Sequence, residues 1–287
     1  MNVITAKTAG FCFGVERAMK ILYDRIEQND FPLYTYGPII HNETVVKELE
    51  EKGVGVLESA EDIAALTEGT VVIRTHGVGP EICGIIESNG LKLVDATCPF
   101  VKKIHHIVSE KAAEGYRILI AGDPAHPEVR GIVGWCGNAR VDVVGTVEAI
   151  EDLDASDDEK ICFVSQTTFN AKKFKELVEV CEKKSYTCYV VDTICNATNE
   201  RQEEARDIAS KADVMIVIGG RNSSNTRKLY EICSESCKDT YFVQTLEDFT
   251  FRRNGLARTV GITAGASTPN NIIKEVQNYV RRFWTDA

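Results

Sequence analysis

The chain has 287 residues, 44% of them apolar and 26% charged, with a net charge of −10. This is the make-up of a globular protein of two or three modest lobes, and its acidic balance argues against a nucleic-acid partner while leaving room for a local anion site. No apolar run nears the roughly 20 residues of a membrane span, and the N-terminus enters a strand without a basic-then-apolar leader. A cytoplasmic location is therefore expected, with the ten cysteines as reduced thiols or metal ligands, not a disulfide framework.

In chain order, Val3 and Ile4 predict a strand, Gly10 a turn, and Cys12 stands before a helix face of Val15, Ala18, Met19, Leu22 and Ile26. Strand 33–36 leads through Gly37-Pro38-Ile39-Ile40-His41-Asn42-Glu43 to a helix ending near Lys52, and strand 71–73 leads through Arg74-Thr75-His76-Gly77-Val78 to one ending near Asn89. Gly53 and Gly90 read as helix C-terminal caps. Strand 91–94 then stops at Cys98, and Pro99 opens a helix with Val101, Ile104, Ile107, Val108 and Ala112 on its face. Strand 117–121 leads through Gly122-Asp123-Pro124-Ala125-His126-Pro127-Glu128 to a short helix, and 151–160 reads as a solvated acidic loop. Strand 161–164 leads through Ser165-Gln166-Thr167-Thr168-Phe169-Asn170 to a helix ending near Lys184, after which Cys195 precedes helical pattern 199–212. Strand 214–218 leads through Gly219-Gly220-Arg221-Asn222-Ser223-Ser224-Asn225 to a helix ending at Cys233, and strand 260–263 through Ala264-Gly265-Ala266-Ser267-Thr268-Pro269 to a final helix.

The phrase Val94-Asp95-Ala96-Thr97-Cys98 returns as Val191-Asp192-Thr193-Ile194-Cys195, and Cys12 opens the chain with a looser version. Three strand–Cys–helix units, each followed by two strand–loop–helix units, make a repeat of roughly one hundred residues. The expected architecture is α/β: three pseudo-repeated lobes with small parallel sheets around a central cavity, with ligands beyond the carboxyl ends of the strands. The segments are 1–13 with the first cysteine, then lobes 14–97, 98–193 and 194–287.

Cysteines at helix starts are favoured as thiolates by the macrodipole, and their recurrence at equivalent places outweighs the usual reading of a cysteine as mere packing. Three thiolates on a four-iron cubane would leave one iron open as a Lewis acid. The other seven, Cys83, Cys136, Cys162, Cys181, Cys188, Cys233 and Cys237, read as packing or surface residues. His41, His76 and His126 each stand in a loop before a helix, as do Thr167, Ser223, Ser224, Asn225 and Ser267. Helix N-termini with such donors suit a diphosphate, although capping alone accounts for a hydroxyl or amide at any one of these positions. Glu128 is either an ordinary first-turn acid or a general acid whose pKa is raised in a water-poor cavity, with Thr167 as relay. His105 and His106 read as packing or surface histidines, and neither a Walker lysine nor a G-x-G-x-x-G loop appears.

Taken together, Gly10-Phe11-Cys12-Phe13-Gly14-Val15, His41-Asn42, Thr75-His76-Gly77-Val78, Asp95-Ala96-Thr97-Cys98-Pro99, Ala125-His126-Pro127-Glu128-Val129, Ser165-Gln166-Thr167-Thr168, Ile194-Cys195-Asn196-Ala197-Thr198, Asn222-Ser223-Ser224-Asn225 and Thr263-Ala264-Gly265-Ala266-Ser267 resemble the 4-hydroxy-3-methylbut-2-enyl diphosphate reductase family, LytB or IspH, over essentially the whole chain. Phe13 and Asn196 depart from the residues many members carry there, without replacing a functional side chain. The resemblance implies a 4Fe–4S cluster on Cys12, Cys98 and Cys195, with one iron open to substrate. It implies that His41, His76, His126, Ser223, Ser224, Asn225 and Ser267 bind the diphosphate, with Glu128 the proton donor and Thr167 beside the substrate hydroxyl. The implied reaction is a two-electron removal of that hydroxyl as water, giving isopentenyl and dimethylallyl diphosphates, with a ferredoxin or flavodoxin as electron donor. Other readings of three cysteines are a different cluster enzyme such as quinolinate synthase, a cluster carrier or sensor, or a zinc protein.

Overall fold

The apolar runs become strands and the 3.6-residue stripes become helices in a computed structural model that describes residues 2–156, 159–184, 187–249 and 258–285. The order is β1 (Asn2–Thr5), α1 (Phe13–Glu27), β2 (Leu33–Tyr36), α2 (Glu43–Glu51), β3 (Val54–Leu57), α3 (Ala60–Ala64), β4 (Thr70–Ile73), α4 (Pro80–Ser88) and β5 (Lys92–Asp95). There follow α5 (Pro99–Ala113), β6 (Arg117–Ala121), α6 (Pro127–Gly134), β7 (Val141–Val144), α7 (Val147–Glu151), β8 (Lys160–Ser165), α8 (Ala171–Lys183) and β9 (Thr187–Val190). The chain closes with α9 (Asn196–Ala209), β10 (Val214–Ile218), α10 (Ser224–Ser236), β11 (Thr240–Val243), a 3-10 turn (Leu246–Asp248), β12 (Thr259–Ala264) and α11 (Asn270–Thr285).

These strands form three four-stranded sheets, ordered β3-β2-β4-β5, β7-β6-β8-β9 and β11-β10-β12-β1, and every pairing is parallel. The three orders are the same. In the third sheet the place of β5 and β9 is taken by β1, whose Val3 lies opposite Val260, so the repeat closes on itself through the N-terminus. Each cysteine of the repeated phrase follows the same strand of its sheet: Cys12 after β1, Cys98 after β5, Cys195 after β9.

Parallel sheets covered by helices on both faces need apolar residues at every position of their central strands. In the second sheet Ile118, Ile120, Cys162 and Val164 pack with Ile104, Val108, Val129 and Ile132, while Leu119, Ala121, Ile161 and Phe163 pack on the other face with Ile150, Phe174 and Leu177. The third sheet alternates likewise, Val214, Ile216 and Ile218 to one side and Met215 and Val217 to the other.

Several boundaries differ from those expected. The helix after Cys195 spans Asn196–Ala209, beginning directly at the cysteine instead of at residue 199. Helix α10 runs on to Ser236, with Cys237 as its C-cap. The acidic stretch 151–160 holds the end of α7 and the start of β8, and its Asp157 and Asp158 lie outside the described residues, as do Met1 of the first segment and Asp286 and Ala287 of the last lobe.

The chain divides into two compact units, one of Met1–Glu16, Ile40–Glu48 and Asn196–Ala287, the other of Arg17–Ile39 and Leu49–Cys195. The first holds the β11-β10-β12-β1 sheet, the second the other two. Within the first unit, buried Arg201 on α9 donates to Ala264 O at 2.7 Å and to Gly10 O at 3.0 Å, tying the turn before Cys12 to the end of β12. Arg201→Met strands both carbonyls, and chemical denaturation should show a loss of about 2–4 kcal/mol.

Candidate active site

The repeated phrase has a local physical cause. Asp95 Oδ1 accepts from Thr97 N at 2.8 Å and Asp192 Oδ1 from Ile194 N at 3.0 Å, the same Asx turn, which sets each cysteine at the mouth of the following helix. The Cys98 amide donates to Thr75 O at 2.9 Å, the Cys195 amide to Thr167 O at 3.1 Å and the Cys12 amide to Ala266 O at 3.3 Å. Those acceptors occupy the loops after β4, β8 and β12, the third strand in each sheet's spatial order. Lys102 N bonds to Cys98 O at 3.0 Å and Glu16 N to Cys12 O at 2.9 Å, as helix-capping carbonyls do. All three cysteines thus hold one local position in a threefold repeat, at a positive helix end and beside a loop that carries polar residues.

In the two-sheet unit, α6 starts under His126. Its Nδ1 accepts from Glu128 N at 3.2 Å, so the imidazole itself caps the helix and the neutral ring carries its proton on Nε2. Histidine is not among the favoured N-cap residues, yet here it caps α6. The His76 and His126 rings meet edge to face with centroids 5.3 Å apart. Glu128 is only 2% exposed. Thr167 N donates to its Oε1 at 2.6 Å and Thr167 Oγ1 to its Oε2 at 2.7 Å. Burial pushes the Glu128 carboxyl up to about 7, against the downward pull of the two Thr167 hydrogen bonds. Glu128 does stand in the first turn of α6, as the alternative of an ordinary first-turn acid has it, but it is buried there. Because the folded pKa lies above the ordinary value of 4.5, the folded state holds the proton more tightly. Stability therefore declines as pH rises from about 4.5 to about 7, and Glu128→Gln should flatten that part of a denaturation profile.

The other unit holds Cys12, His41, Ser223, Ser224, Asn225 and Ser267. Asn42 joins two of its segments: Oδ1 accepts from Val45 N at 3.2 Å at the start of α2, and Nδ2 donates to Ser267 O at 3.0 Å. A Cβ on Gly220 would stand 2.5 Å from His41 O, so only glycine lets the loop after β10 approach the His41 backbone this closely. Glu43 accepts from Asn222 Nδ2 and Gln244 Nε2, each at 2.8 Å. Ser223 caps α10 by accepting from Thr226 N at 3.3 Å, as the capping alternative expected. Asn225 is buried, and its Nδ2 has no hydrogen-bond partner among the described residues, a donor awaiting an acceptor. Asn42, Glu43 and Gln244 escaped the sequence reading as positioning residues. Asn42 was signalled only by its place beside His41.

The remaining cysteines differ in kind. Burial pushes the thiols of Cys136 and Cys233 up to about 12 and that of Cys162 up to about 11, which keeps them protonated and poor ligands. Cys12, Cys98 and Cys195 are instead partly exposed. Together they make a donor set of one chemical kind. Its soft sulfur atoms suit zinc or an iron–sulfur cluster. His105 is buried and stacked on Trp135 at 5.4 Å, and burial lowers its pKa to about 4, in line with a packing role.

A family model described as LytB protein matches residues 3–281. The chain is 46% identical over 277 residues to the 4-hydroxy-3-methylbut-2-enyl diphosphate reductase of Caldanaerobacter subterraneus subsp. tengcongensis, covering 96% of this chain and 95% of that one. It is 43% identical to the Clostridioides difficile protein of the same name, covering 99% and 100%. A solved structure of (E)-4-hydroxy-3-methyl-but-2-enyl diphosphate reductase, described as the terminal enzyme of the non-mevalonate pathway, is 40% identical with a TM-score of 0.68 over 98% of this chain and 100% of that one. The Plasmodium falciparum reductase structure is 28% identical with a TM-score of 0.90, covering 97% and 87%. No helix among the described residues is long and apolar enough to cross a membrane.

Proposed function

This chain belongs to the LytB family and reduces 4-hydroxy-3-methylbut-2-enyl diphosphate in the last step of the non-mevalonate pathway, and we propose that Glu128 supplies the proton that turns the substrate hydroxyl into water. One observation carries this reading. A buried carboxyl held near neutrality is bonded through both atoms of Thr167, whose carbonyl in turn receives the Cys195 amide. A proton donor is thereby fixed two bonds of the hydrogen-bond network from a candidate cluster ligand.

We assign Cys12, Cys98 and Cys195 as the three ligands of a 4Fe–4S cluster, on the strength of their equivalent places after β1, β5 and β9. Bound there, such a cluster would supply electrons one at a time and Lewis acidity toward the substrate oxygen. Hydroxide is a poor leaving group, so protonation is what Glu128 contributes. The proton passes from its carboxyl to the departing oxygen, directly or through Thr167 Oγ1, and the C–O bond breaks with release of water. Two electrons and two protons enter in all. The second proton goes to carbon, and addition at one or the other end of the allylic unit gives isopentenyl or dimethylallyl diphosphate. Thr167 keeps the carboxyl oriented. His41, His76, His126, Ser223, Ser224, Asn225 and Ser267 hold the diphosphate, the unpartnered Asn225 Nδ2 being a ready donor to a phosphoryl oxygen. A ferredoxin or flavodoxin in the cytoplasm is the electron source in this scheme.

The acid form of Glu128 is the working form. With the carboxyl titrating at about 7, turnover driven by excess dithionite should fall about tenfold per pH unit above that value. A profile flat from pH about 6 to about 9 would remove Glu128 as the proton source.

A further inference from the structure

We propose that Cys181 and Cys188 form a redox-active dithiol, separate from Cys12, Cys98 and Cys195, which a low-molecular-weight disulfide converts to an intramolecular disulfide. Their sulfur atoms lie 2.8 Å apart in mutual contact, within a short sulfur displacement of bonding. Cys181 sits near the end of α8, fully buried among Leu177, Phe163 and Ile194. Cys188 lies on β9, an edge strand of the second sheet, and is partly exposed. The other closely spaced pair is not built this way: the thiols of Cys233 and Cys237 point at separate backbone carbonyls, Ala205 O and Asp239 O.

The two sulfurs are unequal, as an attacking and a resolving thiol must be. The Cys181 thiol, bonded to Cys188, holds the Cys188 pKa below the ordinary thiol value, with burial and Glu182 opposing. The same hydrogen bond, then burial and the charges of Cys188 and Glu182, push Cys181 the other way. Cys188, partly exposed and more acidic, attacks the small disulfide RSSR, forming Cys188–S–SR and releasing RS⁻. Cys181 then attacks the Cys188 sulfur, closing the Cys181–Cys188 bond and releasing the second RS⁻. The two protons of the protein thiols leave on the two RSH molecules, so two protein thiols are oxidised and one small disulfide is reduced. The bond ties the end of α8 to the strand that runs into the Asp192–Cys195 turn.

The test uses the full-length, cluster-loaded protein purified anaerobically, incubated with oxidised glutathione, quenched in acid, alkylated and digested with trypsin. Lys183 and Lys184 lie between the two cysteines, so the cysteines reach the mass spectrometer on separate peptides that travel together only if bonded. In the wild type we expect the joined pair, about two mass units lighter than the sum of the free peptides and separated by reductant. Cys181→Ser should stop at a stable glutathione adduct on Cys188, and Cys188→Ser should leave residue 181 alkylated. Alkylation of both thiols in the treated wild type, a wild-type adduct on Cys188 that never resolves, or equal reaction of Cys181 in Cys188→Ser would overturn the proposal.

Discussion

Glu128→Gln should lower kcat by about 10²–10⁴-fold, the usual contribution of a positioned general acid, with KM little changed. Glutamine keeps the volume of the side chain, and its amide oxygen still accepts from Thr167 N while its NH₂ faces Thr167 Oγ1, so the buried contacts of 2.6 and 2.7 Å have replacements. The loss is then chemical, and the fall in rate above pH 7 should vanish with the carboxyl. Thr167→Val separates the two functions of the pair. It removes the hydroxyl but leaves the backbone bond from residue 167 to Glu128, so it should cost less than Glu128→Gln and leave a titrating limb in the profile. Normal turnover by Glu128→Gln would end the general-acid assignment.

Serine at Cys12, Cys98 or Cys195 should each abolish the cluster and cut turnover by more than about 100-fold, since even residues that merely orient ligands cost 10–100-fold when lost. The three variants should behave alike because the three positions are alike: each follows the same strand of its sheet, and each amide bonds into the loop after the third strand. Alanine at Cys136, Cys162 or Cys233 makes the contrast. Those thiols are buried in the cores and held protonated, so the variants should lose stability by filling volume poorly while keeping iron and colour. Iron retained in full by Cys195→Ser, or lost in Cys136→Ala without unfolding, would contradict the ligand assignment.

The repeat was legible because the Asx turn leaves a readable trace: aspartate three residues before cysteine, twice over, as Asp95 and Asp192. Buried central strands were legible as continuous apolar runs, and β2, β6 and β10 fall where the sequence predicts them. What escaped were β3, β7 and β11, one short edge strand of each sheet, and the five-residue helices α3 and α7. Half-exposed runs such as Val141–Val144, with Asp142 among them, carry too little period to separate from loop. The cyclic closure through β1 also escaped, since pairing of Val3 with Val260 spans nearly the whole chain and leaves no local mark. In the site, residue types were readable but partners were not. Glu128 was visible as a first-turn acid, yet its burial depends on Thr167, 39 residues away, and the contact between Cys181 and Cys188 depends on how α8 lies against β9.

The central claim is that turnover requires an iron–sulfur cluster held by three cysteines of a threefold repeat. Its most direct test is to count iron and acid-labile sulfide per chain in anaerobically purified protein and plot them against dithionite-driven reduction of 4-hydroxy-3-methylbut-2-enyl diphosphate across preparations of graded cluster content. Rates proportional to loading, reaching a maximum near four irons and four sulfides per chain, are the expected result. A colourless, iron-free preparation that still forms both isomeric products would contradict it.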